Sequence, residues 1–132
     1  MQLISSKAHG TCMAKQNAVL DKSFQFSIRI VKLYKYLVSE HKEFVLSKQL
    51  LRSGTSIGAN VNEAQAAQSK SDFIAKMSIA SKEARETQYW INLLIETDYL
   101  NSKALHVESL QQESAELAKL LTSIVKTSQA NK

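Results

Sequence analysis

Apolar residues recur along this chain at helical intervals and hardly anywhere with the alternation of a strand. Between residues 21 and 39, Phe26, Ile30, Leu33 and Leu37 are spaced by four, three and four, which keeps them on one stripe of a helix. Phe24, Ile28, Val31 and Val38 form a second stripe. At about 100° per residue the two stripes are roughly opposite, so this helix is apolar on two sides and needs two partners. One partner is the domain core. The second stripe is read as a subunit interface, the alternative being a central helix buried within its own monomer.

The run "RSGTSIGANVNEAQAAQSK", residues 52–70, falls mostly within the next segment, 44–68, and could be a loop or a helix made of poor helix formers. The six residues 53–58 together cost roughly 3 kcal/mol against alanine. The apolar register nevertheless continues unbroken through Leu46, Leu50, Ile57, Val61 and Ala64, with Gly54 on the same face. A loop would reset that phase. A helix is predicted, with Ser53, Gly54 and Gly58 letting a neighbouring backbone come close. A phosphate-binding loop does not fit, because Ala59 and Asn60 stand where that motif requires a lysine and a hydroxyl.

Ser69 and Asp72 have the spacing of a helix start. Phe73, Met77, Ala80, Ala84, Ile91 and Leu94 then carry a third helix over residues 70–97. After a break at "DYLNS", Leu110, Leu117, Leu121 and Ile124 carry a fourth over 102–127. Four helices of similar length joined by short connections predict an all-α fold, an up-down-up-down antiparallel four-helix bundle with helices at 21–39, 44–68, 70–97 and 102–127. Residues 17–132 form its single domain. Residues 1–16 show no clear period and read as a loosely ordered arm, or as residues upstream of a start at Met13.

Composition supports helices: among 132 residues there is no proline and there are three glycines, so the punctuation of an all-β fold is missing. Seventeen basic against twelve acidic residues leave a net charge of +5. Residues 1–68 hold nine basic and four acidic groups, and residues 69–132 eight of each, which assigns the positive field to the first half. Such a field suits an anionic partner such as RNA or DNA. Lys22, Arg29, Lys32, Lys35 and Lys48 are the candidate nucleic-acid contacts, the alternative being that they keep the surface soluble.

A polar seam is expected where Arg52, Ser56, Asn60 and Glu63 of the second helix face Glu83 and Glu86 of the third. Folding the hairpin about residues 69 and 70 brings Arg52 level with Glu86 and Glu63 level with Lys76. The seam is either solvated or partly buried beside Trp90 and Leu93, where it would set helix register. Catalytic chemistry has little support. Neither His41 nor His106 has a glutamate three positions before it, as di-iron bundles require. No cysteine and histidine cluster has zinc spacing. No catalytic residue, metal or cofactor is expected. The lone Cys12 cannot form an intramolecular disulfide, and the first residues lack an apolar run for a signal or anchor, so a cytoplasmic protein without a membrane partner is expected.

The segments "SFQFSIRIVKLYKYL", "SKQLLRSGTSIGANVNEAQAAQSKSDFIAKM" and "SKEARETQYWINLLIETDYL" resemble the bacterial four-helix bundle family named after the 23S rRNA intervening-sequence proteins. The likeness spans residues 21–100 closely and the last helix more loosely. The family is similar in fold to the accessory variability protein of diversity-generating retroelements, a basic pentameric barrel that binds nucleic acid and a reverse transcriptase. The resemblance implies a homo-oligomer, a pentamer of up-down bundles. Two functions are carried forward: a non-enzymatic ring that binds RNA or DNA, and an adaptor ring that recruits a partner protein without nucleic acid.

Overall fold

The computed structural model describes residues 7–131, with side chains from residue 16 onward. It contains four helices: α1 (Lys7–His41), α2 (Leu46–Ala64), α3 (Lys70–Glu96) and α4 (Leu105–Ala130). Each packs on its neighbour in the chain, and α4 closes the ring against α1; among the described residues the backbones of diagonal helices stay apart. Cross-helix pairs give the directions. Gly54 meets Ile30 while Gly58 meets Ser23, Arg52 meets Glu86 while Glu63 meets Lys76, and Ser81 meets Thr122 while Asn92 meets Gln111. Every pair of neighbours therefore runs antiparallel, as short connections require.

The core is built from the predicted stripes. Phe26, Ile30 and Leu37 of α1, Leu50, Ile57 and Val61 of α2, Met77, Ile91 and Leu94 of α3, and Leu117 and Leu121 of α4 are buried. Helix α2 stays regular through its weak segment because packing offsets propensity: Gly54 lies directly against Ile30, and Gly58 against the Ser23 carbonyl. Ser53 and Thr87, both buried, join their hydroxyls at 3.0 Å across α2 and α3. Their polar groups are thereby satisfied inside the core.

Helix ends depart from the expected positions. α1 begins at Lys7, so residues 7–16, read as an arm, continue the helix; residues 1–6 lie outside the described residues. Alanine, lysine, glutamine and methionine dominate that stretch and are good helix formers, which lets the helix run back from its packed part. α2 stops at Ala64, where its last apolar contact is made. Residues 65–67 tighten into turns with i−3 hydrogen bonds, and Ser69 turns extended to cap α3. Ser69 accepts from the Asp72 amide at 3.0 Å, while Asp72 accepts from the Gln68 amide, one residue earlier than in a capping box.

Without proline or a free glycine, the chain ends α1 and α3 with left-handed residues. Lys42 has φ 53° and Asp98 φ 68°. Beyond Asp98 the Tyr99 amide donates to the Leu94 carbonyl at 2.9 Å and the Asp98 amide to that of Ile95 at 3.1 Å, a Schellman closure. The Asn101 side chain then accepts from the Lys103 amide, which holds a turn and delays α4 to Leu105.

Candidate functional site

Small residues decide how closely α1 and α2 approach, and that approach shapes the outer face they share. With Ser23, Ser27, Gly54 and Gly58 at the contact, the two helices draw together. A groove of about 740 Å³ is left on their outer side, lined by Leu20 and Phe24 of α1 and by Thr55, Gly58, Ala59 and Asn62 of α2. Phe24 stands over it with 63% of its surface exposed, and Ile28, one turn on, is exposed as well. Val31 and Val38 are half-buried. The second apolar stripe thus has no full cover among the described residues. Lys35 continues that stripe, seven residues after Ile28.

The other expected cations separate. Arg29 is engaged: its guanidinium meets Glu113 at 2.8 Å, the Ser109 hydroxyl at 3.0 Å and the His106 carbonyl at 3.0 Å, tying α1 to α4. Lys22 shares a small cleft with Asp21, Glu113 and Glu116, a poor setting for phosphate. Lys32, Lys35 and Lys48 are exposed and form no ion pair among the described residues. The sequence reading passes over Arg85, Lys119 and Lys126, which line one groove between α3 and α4.

The polar seam divides into two parts. Arg52 reaches Glu83 at 3.2 Å and also pairs with Glu86, while Glu86 accepts from the Trp90 indole N–H at 2.9 Å. Glu83 is 19% exposed, Glu86 37% and Arg52 49%, so the pair with Glu86 meets solvent and only the Glu83 side is largely covered. The Trp90 hydrogen bond, opposed by partial burial and reinforced by Arg52, holds the Glu86 carboxyl below its usual value. Farther along, Lys76 meets the exposed Glu63 at 3.2 Å. Asn60 belongs to neither part; its amide donates to the Ser56 carbonyl of its own helix. The arrangement ties α2 to α3.

Glu43, which the sequence reading did not single out, closes the start of α2. Its carboxylate accepts from the amides of Val45 at 3.2 Å, Leu46 at 3.0 Å and Ser47 at 2.6 Å. Burial pushes the Glu43 carboxyl up, and the Leu46, Ser47 and Val45 amides more than reverse this, leaving it below the ordinary range. The unfolded value is about 4.3. A depressed folded value means that the stabilisation is complete above the unfolded value and is lost as pH falls through the folded one. Glu43→Ala is expected to lower the unfolding free energy by about 1–2 kcal/mol at pH 7. In urea titrations the gap between wild type and variant should shrink below about pH 4. A gap that widened on acidification would contradict this cap.

The model of the family described as 23S rRNA-intervening sequence protein matches residues 15–123. The chain belongs to that family. A crystal structure of a protein of unknown function from the S23 ribosomal protein family of Bacteroides thetaiotaomicron is 59% identical, with a TM-score of 0.81, over 85% of this chain and 98% of that one. No curated protein matches. The resemblance stated from the three quoted segments is thus shown, and it extends through most of the last helix. Family membership fixes the four-helix architecture and carries no catalytic assignment. Among the described residues of this family member, no helix is long and apolar enough to cross a membrane, and no group of three His, Cys, Asp or Glu is placed to hold a metal.

Proposed function

We propose that the protein is a non-enzymatic homo-oligomeric scaffold, a ring of five bundles, whose basic surface binds RNA or DNA. The observation that carries assembly is Phe24, a large aromatic 63% exposed at the rim of a groove made by small α2 residues. A second copy supplies what this surface lacks, an apolar ridge to fill the groove and cover Phe24 and Ile28. The stoichiometry of five is what the family resemblance implies. A net charge of +5 per chain, repeated around a ring, supports the nucleic-acid role.

The nucleic-acid role is tested by titrating labelled duplex DNA and structured RNA at about 50 and 200 mM salt. Phosphate contacts predict binding at the lower salt that weakens steeply at the higher, with little sequence preference. Absence of binding at the lower salt would leave the adaptor reading in its place. That reading has its own observation: Phe44 and Val45 between α1 and α2, and Leu105 at the start of α4, are exposed apolar residues at one end of the bundle.

A further inference from the structure

Counted along the chain, the second half is neutral, yet pairing between helices redistributes its charge. The first-half arginines take up second-half acids: Arg29 meets Glu113, and Arg52 meets Glu83 and Glu86. Glu116 lies with Glu113 in the cleft beside Lys22. Asp72 is occupied at the start of α3, while Glu96, Asp98 and Glu108 gather where α3 ends and α4 begins. The cations of the α3/α4 outer side are left uncompensated.

There, a groove of about 610 Å³ is lined by Arg85 from α3 and Lys119 and Lys126 from α4, with Gln88, Thr122 and Thr127 among its polar groups and no acidic residue. All three cations are exposed, and none forms an ion pair among the described residues. Lys119 and Lys126 are seven residues apart, on one side of α4 and about 10 Å from one another along its axis. Arg85 faces them from the opposite wall.

We propose that this α3/α4 groove is the path of a nucleic-acid phosphate backbone, held by Arg85, Lys119 and Lys126. The proposal rests on the nucleic-acid reading above and gives it a location away from α1. Cations strung along an open channel match a repeating anion better than a single enclosed one. None of the large exposed apolar side chains belongs to its lining, which disfavours an amphipathic helix or a lipid surface. The Gln88 amide and the Thr127 hydroxyl beside the cations can donate to phosphate oxygens without reading sequence. The groove also lies across the core from the α1/α2 face.

The test compares two pairs of charge reversals with equal net change, Lys119→Glu/Lys126→Glu and Lys32→Glu/Lys48→Glu. Each is titrated against a fluorescein-labelled 20-base-pair DNA duplex and a 20-nucleotide RNA, with circular dichroism confirming that both proteins remain folded. The groove pair is expected to lose about tenfold or more in affinity at 50 mM salt. It should also reduce the slope of log K against log salt by about 1.4 to 1.8, at 0.7 to 0.9 per phosphate contact. The α1/α2 pair should lose less than about threefold. Equal losses, or a loss confined to Lys32 and Lys48, would overturn the groove and leave nucleic-acid binding standing. If wild type binds neither probe, the nucleic-acid reading and the groove fall together.

Discussion

Gly54→Ala is expected to destabilise the bundle by about 1–3 kcal/mol, the usual cost of an added methyl in a filled core. Propensity alone predicts the opposite, since alanine is the better helix former by about 1 kcal/mol. Packing decides the sign. A Cβ at position 54 would stand 2.8 Å from both Cγ1 and Cγ2 of Ile30, and Ile30 is wholly buried, so neither can retreat without displacing its own neighbours. Denaturant titration of Gly54→Ala, Ile30→Ala and the double variant separates the terms. Ile30→Ala alone should cost about 2–5 kcal/mol. In the double variant the total should be clearly less than the sum, because the new methyl occupies space that Ile30 vacates. Additive costs, or a more stable Gly54→Ala, would show that α1 and α2 are not in close contact there.

Phe24→Asp is expected to separate the subunits while leaving each bundle folded. The side chain is 63% exposed in the single chain, so its replacement removes little from the core. In an assembly it becomes a buried aromatic anchor, the kind of residue whose loss costs 2 kcal/mol or more, about thirtyfold in dissociation constant. A carboxylate enclosed in the interface beside Asp21 of the same groove adds desolvation and like-charge costs. Sedimentation at micromolar concentration should show the variant shifted to the single chain, with its helical circular dichroism unchanged. A variant that assembled like wild type would remove Phe24 from the interface. Loss of helical signal would assign it a core role that its exposure denies.

Much of the fold could be read from spacing because burial in a bundle follows the 3.6-residue period. Leu50, Ile57, Val61 and Ala64 keep one register through the weak part of α2, and all four are buried. The Arg52–Glu86 and Glu63–Lys76 pairs were legible for the same reason, since an antiparallel hairpin folded at residues 69 and 70 fixes which levels meet. Helix ends were less legible. Lys42 and Asp98 adopt left-handed backbone that leaves no glycine in the sequence to mark it. α1 continues to Lys7 because nothing in residues 7–16 stops a helix, although no apolar period announces one. Glu43 was hidden because it caps from outside α2, binding amides two to four residues ahead.

Charge was the least legible property. Arg29 reads as a free surface cation in one dimension and is tied to Glu113, Ser109 and His106 in three. The balance of each half of the chain says nothing about which acids are taken by arginines of the other half. Lys119 and Lys126 did offer a signal, a spacing of seven residues on one helix, but its meaning depends on Arg85 standing opposite.

Light scattering on the purified wild-type protein at micromolar concentration tests assembly through the α1/α2 face most directly. A mass five times the 14.8 kDa chain is the predicted result. A uniform mass of one chain at that concentration would contradict it, leaving Phe24 and Ile28 as apolar residues that a solitary bundle keeps in water.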